Sequence, residues 1–108
     1  MTTPDSSPTV TKDDGAVTAA LAGELDMGAT FTAEPALERA MDAPELESFT
    51  LDLSGVSFID STGVGLVLRV ASDLQGRGVP LRIVPGPRRV HQVFESAGMA
   101  DALPFQPR

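Results

Sequence analysis

The sequence contains no cysteine, which removes disulfides, thiolate zinc sites and thiol catalysis together. It holds a single histidine, His91, and its carboxylates are not clustered with that residue at metal-ligand spacing. No apolar run approaches the roughly 20 residues that span a bilayer. The N-terminus lacks the basic-then-apolar pattern of a secretory leader. A cytoplasmic protein with no membrane attachment and no cofactor is therefore expected. Bases are also scarce: eight Lys and Arg stand against fifteen Asp and Glu, a formal charge of −7. They form no concentrated stripe of the kind phosphate backbones attract, so nucleic acid is a poor partner. The imbalance is uneven along the chain. Residues 1–54 carry eleven acids and two bases, a net −9, whereas residues 55–108 carry four acids and six bases, a net +2. Such a distribution serves solubility, and it also suits a basic protein partner.

What remains is an ordinary globular composition. The 108 residues fit one domain, large enough to bury roughly two-thirds of its unfolded surface. Residues 1–8 are polar with two prolines and read as a mobile tail, leaving 9–108 as a single domain. Strands are predicted at Thr9–Thr11 and Ala16–Leu21, joined through Asp13-Asp14-Gly15, where glycine supplies positive φ. Gly23 to Asp26 close the second strand. A helix is predicted over Phe31–Met41, capped by Thr30 or Thr32, with Glu34 in its first turn, Pro35 early, and Phe31, Leu37 and Met41 on its apolar side.

Phe49–Leu53 alternates as a strand does, Ser54-Gly55 breaks it, and Val56–Ile59 leads to Asp60. Val64, Val67, Leu68, Ala71 and Leu74 recur at helical spacing, giving a second helix over 61–75 that Gly76 and Gly78 stop. Leu81–Val84 reads as a strand. A third helix follows, with Val90, Val93, Phe94 and Ala97 inward, and Leu103–Phe105 offers a final edge strand. The order β-β-α-β-α-β-α, with that last β, implies an α/β fold in which helices pack on a mixed, mostly parallel sheet.

One stretch departs from generic patterning, LDLSGVSFIDSTGVG at 51–65. With Asp60 as N-cap, the Ser61 and Thr62 hydroxyls lie at the mouth of a helix, where unpaired N–H groups and the positive end of the dipole tolerate a dianionic phosphate. A plain helix cap explains the same three residues. Two features add to it. Gly63 and Gly65 sit in the first turns, each costing roughly 0.5–1 kcal/mol relative to alanine; they either bare the surface for a partner or serve close packing. Asp26 and Asp52 end strands that can flank the turn, or are solvated strand ends.

Gly-Glu-Leu-Asp at 23–26, Leu-Asp-Leu-Ser-Gly-Val at 51–56 and Phe-Ile-Asp-Ser-Thr-Gly at 58–63 resemble the STAS family, specifically the bacterial anti-sigma factor antagonists, over about Val17 to Phe105. The resemblance implies the STAS fold and a partner-switching role in transcription and stress response. Ser61 then matches the serine that a cognate anti-sigma factor kinase phosphorylates, with ATP and Mg²⁺ supplied by that kinase. Asp26 and Asp60 match acidic residues of the kinase-binding face, to which Ser61, Thr62, Gly63 and Gly65 also belong. A phosphatase would reset the site, and a monomer suffices.

Rival readings are weaker on the residues. A serine hydrolase wants Gly-x-Ser-x-Gly, but Ile59 takes the first glycine's place, and the only histidine is expected on an exposed side of the third helix. Gly63–Leu68 lacks the third glycine of a dinucleotide fingerprint, and no Walker lysine follows. Arg88-Arg89 either meets an acidic patch on a partner or is simply solvated. A regulatory subunit of a lipid-transport or signalling complex is the alternative within the family.

Overall fold

The computed structural model describes residues 8–107, so all but the last residue of the predicted tail lies outside the described part. The chain runs β1 (Thr9–Asp13), β2 (Ala16–Leu25), α1 (Met27–Met41), β3 (Ser48–Ile59), α2 (Ser61–Gly76), β4 (Leu81–Val84) and α3 (Arg88–Ser96). The four strands form one sheet in sequence order. β1 pairs antiparallel with β2, and the β2–β3 and β3–β4 pairs are parallel. This is the expected mixed sheet. The first hairpin closes through Asp14 (φ 47°) and Gly15 (φ 88°), the left-handed pair that matches the twist of the flanking strands.

Register explains where the core lies. Val17 stands beside Phe49, and Ala19 beside Leu51 and then Ile83; all five are buried. Their neighbours Thr18, Ala20, Thr50, Asp52, Arg82 and Val84 are half-buried or exposed on the opposite face. Leu37 from α1, Leu66 and Leu74 from α2 and Phe94 from α3 complete the interior.

β3 corrects the predicted break. Ser54-Gly55 does not end the strand; it is absorbed by two irregularities, one between the pairs Ala20↔Asp52 and Ala22↔Gly55, the other between Gly23↔Val56 and Glu24↔Phe58. Each places one extra residue on β3, as a bulge does. Strict alternation would turn Gly55 and Ser57 inward. With the bulges, Val56 and Ile59 are the buried residues after Leu53. Asp52 belongs to this feature. Its Oδ1 accepts the Ser54 N–H at 2.9 Å, and its register beside Ala20 and Val84 puts it mid-strand, not beside the Asp60 turn.

α1 begins four residues earlier than predicted. Asp26 is its N-cap, accepting from Ala29 N at 2.9 Å, and the first backbone bond runs from Thr30 N to Asp26 O at 2.8 Å. Thr30 is buried and Thr32 donates to the Gly28 carbonyl, so neither caps the helix. Pro35 consequently lies in the interior of the helix, where it removes the donor that would reach Phe31 O. Phe31 leaves the core altogether, at 83 % exposure.

At the other end, Ala97 is the exposed C-cap of α3 instead of an inner residue, while Val90 and Phe94 are buried as expected. His91 is half-buried, not exposed. Its ring meets Phe105 edge-on at 4.6 Å between centroids, and its Nδ1 is enclosed without a partner among the described residues. The predicted last strand is reduced to a single parallel bridge, Ile83↔Phe105.

Candidate functional site

β2 and β3 end side by side, with Leu25 in register with Ile59 and the Asp60 N–H donating to Leu25 O at 3.4 Å. The next residue on each strand is an aspartate, and each aspartate caps a helix. Asp26 and Asp60 are therefore brought together, as the sequence suggested, by parallel pairing of their strands. Both have extended backbones, φ −93° and −113°, which is what an N-cap requires.

The two caps differ in how fully they are used. Asp60 Oδ1 accepts from Thr62 Oγ1 at 2.5 Å, Thr62 N at 2.9 Å and Gly63 N at 3.1 Å. The Thr62 hydroxyl, followed by the Gly63 N–H, holds this carboxyl below the usual carboxylate range. Thr62 is thereby tied down, its hydroxyl proton committed to Asp60. Ser61 is the opposite case. It is the exposed first residue of α2, and its hydroxyl bonds to no described residue. Of the two neighbouring hydroxyls, only that of Ser61 has no hydrogen bond among the described residues.

The glycines divide in the same way. A Cβ on Gly63 would lie 2.6 Å from Leu25 O and 2.7 Å from Ile59 Cγ1. Gly63 is buried and its bareness serves packing: it lets the first turn of α2 sit down on the strand ends and holds the two caps together. It is not a surface for a partner. Gly65 is half-exposed, and a Cβ there would meet nothing closer than Arg69 Nη1 at 3.4 Å. It does leave the face beside Ser61 open.

A cavity of about 290 Å³ lies over this face. α1 contributes Met27, Thr30, Phe31 and Glu34; α2 contributes Ser61, Thr62, Gly65 and Arg69. Across it, Arg69 Nε donates to Glu34 Oε2 at 2.7 Å, with side-chain exposures of 56 % and 34 %. An ion pair this wet contributes roughly 0–1 kcal/mol. The large apolar side chains left in solvent are Met27 (69 %), Phe31 (83 %) and Phe58 (48 %) among the described residues. Met27 and Phe31 line the cavity, and Phe58 stands two residues before Asp60. An acidic turn thus has an apolar surround.

Sequence reasoning did not find Met27, Phe31, Phe58, Glu34 or Arg69. Phe31 was hidden by the misplaced helix start, since beginning α1 at Phe31 assigned it to the core. The Glu34–Arg69 pair spans 35 positions, and no local pattern announces it. His91 packs against Phe94 and Phe105 and does not line the cavity at Ser61. Arg88 and Arg89 are exposed at the start of α3. Among the described residues, no three His, Asp or Glu side chains converge as metal ligands, and no helix is long and apolar enough to cross a membrane.

Comparison with solved structures places this arrangement in context. An anti-sigma factor antagonist from Mycobacterium paratuberculosis superposes with a TM-score of 0.80 at 24 % identity, covering 94 % of this chain and 85 % of its own. The anti-sigma factor antagonist SpoIIAA in its unphosphorylated form gives 0.75 at 22 % identity, covering 94 % and 89 %. The phosphorylated form of SpoIIAA, a Bacillus cell fate determinant, gives 0.69 at 22 %, covering 94 % and 92 %. A search of the curated proteins found no match. At these identities the likeness establishes the fold. The STAS domain family model matches residues 7–108, and the chain accordingly belongs to the STAS domain family.

Proposed function

We propose that this protein is an anti-sigma factor antagonist of the cytoplasm, a binding partner switched by phosphorylation of Ser61 and not itself an enzyme. The observation that carries the reading is the contrast at the α2 entrance: an exposed Ser61 hydroxyl with no hydrogen-bond partner among the described residues, beside a Thr62 hydroxyl bound to Asp60. Two of its structural relatives are the unphosphorylated and phosphorylated forms of one antagonist, which favours the same chemistry here.

Unphosphorylated, the chain docks on an anti-sigma factor kinase through the Ser61 face and frees the sigma factor. Met27 and Phe31 enter apolar pockets of the partner, and Asp26 and Asp60 meet its bases. The kinase brings ATP and Mg²⁺. Ser61 Oγ forms a bond to the γ-phosphorus as the β–γ bridging P–O bond breaks; ADP leaves, and the hydroxyl proton passes to a base of the kinase. Asp60 is a weak base for that proton, because the three hydrogen bonds its Oδ1 accepts lower its proton affinity.

The product carries about −1.5 to −2 charges at the helix entrance. A like charge about 6 Å away costs roughly 3 kcal/mol at an effective dielectric near 20, about a hundredfold in affinity. No refolding is needed, because the phosphate sits at a helix N-terminus that tolerates it. A phosphatase resets the switch.

The test is incubation with ATP and each co-encoded anti-sigma kinase, followed by mapping of phosphate by mass spectrometry. Label at Ser61 that vanishes in Ser61→Ala is the expected result, with Ser61→Ala still binding the kinase and Ser61→Asp binding it weakly. Absence of label with every such kinase, or label on Thr62 alone, would overturn the reading. Binding to another assembly without phosphate transfer would favour a regulatory subunit of a lipid-transport or signalling complex.

A further inference from the structure

We propose that Arg69 is the intramolecular phosphate-binding residue of this switch: once Ser61 is phosphorylated, the guanidinium leaves Glu34 and pairs with the phosphomonoester. The inference rests on Ser61 carrying phosphate, and it assigns a role to a residue outside the turn itself.

Placement comes first. Ser61, Gly65 and Arg69 follow one another at intervals of four on α2, so they form a single row on one helix face. Helical side chains lean toward the N-terminus, and Arg69 does so, with Nη1 3.4 Å from where a Gly65 Cβ would be. The guanidinium therefore lies one turn from Ser61, about 6 Å along the axis. Because residue 65 is glycine, no side chain stands between them. A phosphoserine and an arginine easily close that distance.

Charge then selects the partner. Arg69 is the single cation among the residues lining this cavity. Glu34 on α1 also lines the cavity, and the capping aspartates Asp26 and Asp60 stand at the two helix starts; all three carboxylates repel a phosphate. Arg69 is now held by Glu34 through one exposed contact, Nε to Oε2 at 2.7 Å. A phosphate dianion presents more charge than a carboxylate, and both can accept two parallel N–H donors from a guanidinium. The exchange replaces a single exposed contact to Glu34 with a pairing to a more highly charged group.

Its consequence reaches past the phosphate. Glu34 and Arg69 line both this cavity and a second one of about 350 Å³, farther along the groove between α1 and α2, that is also lined by Leu37, Met41, Leu66 and Val70. Moving Arg69 leaves the Glu34 carboxylate unpaired between the two, on the same face as Phe31. Phosphorylation then adds negative charge at two points of the docking face: at the phosphate, and at a carboxylate that was neutralised before.

Phosphoserine installed at position 61 during translation tests this without any kinase, so failure of a kinase to label Ser61 stays a separate result. The phosphate is titrated by ³¹P NMR. Its second pKa is expected about half a unit or more lower with Arg69 present than in Arg69→Gln. In Glu34→Gln, which frees Arg69 without removing it, the value should equal or fall below that of the unsubstituted protein. Equal values with and without Arg69 would overturn the proposal, as would a Glu34→Gln value matching Arg69→Gln. The unsubstituted protein supplies an independent readout. The Arg69 ¹⁵Nε–¹Hε resonance should shift as the phosphate titrates, and a resonance that stays fixed counts against the exchange.

Discussion

The fate of a hydroxyl here depends on one carboxylate oxygen. Asp60 Oδ1 takes the Thr62 hydroxyl and two backbone N–H groups, while the adjacent Ser61 hydroxyl has no hydrogen bond among the described residues. The same bonds lower the proton affinity of Asp60. Its carboxylate therefore contributes stability that is fully present above the unfolded pKa of about 3.9 and is lost as pH falls through the lower folded value. Asn caps helices as well as Asp but does not titrate. Urea unfolding of the native protein and Asp60→Asn should show the native protein ahead at pH 7 and the gap closing below about pH 4. A gap independent of pH would mean that the Asp60 charge does not hold the turn.

Two glycines two positions apart on α2 have opposite physical reasons. Gly63 is pressed against backbone, with a Cβ position 2.6 Å from Leu25 O, and neither the strand end nor the helix start yields easily. Gly63→Ala is expected to destabilise by about 1–3 kcal/mol, the usual range for overpacking. Gly65 faces only the movable end of Arg69. Gly65→Ala should instead gain up to about 1 kcal/mol from helix propensity. Denaturant unfolding of the two variants reads the signs directly. α1 offers a parallel lesson: its true start at Asp26 moves Pro35 into the helix interior and carries Phe31 out to solvent.

Across the whole molecule, acidic and apolar groups meet at one edge of the fold. The N-terminal half carries the net negative charge, and from it Asp26, Glu34, Met27 and Phe31 converge on the α2 entrance. Residues so exposed add little to folding, so Met27→Ala and Phe31→Ala should change stability by no more than about 0.5 kcal/mol. Anchors of this kind commonly cost more than about 1 kcal/mol in binding. If they anchor the proposed kinase complex, either substitution should weaken that binding at least about fivefold by calorimetry, with unfolding midpoints unchanged. Full-strength binding by both variants would move the docking face elsewhere.

The order of strands and helices, the mixed sheet and the Asp60-Ser61-Thr62 turn were legible in the linear sequence. Each depends on short-range rules: alternation at 49–53, helical spacing from Val64 to Leu74, a glycine hairpin, and a capping triplet. Local patterning also misled where two local signals competed. Pro35 looked like a helix opening because prolines favour that place, and the cap nine residues earlier at Asp26 was passed over. Ser54-Gly55 looked like a strand break, although pairing with β2 absorbs it as bulges that keep Val56 and Ile59 inward. Asp26 is expected near the Asp60 turn and Gly63 has close packing as one of two readings, but the register that sets the two caps side by side, the choice of burial for Gly63 and the reach of Arg69 to Glu34 had no signature in the chain. They arise because parallel pairing ends two strands together and sets two helix starts side by side, and such a juxtaposition exists only once the sheet has formed.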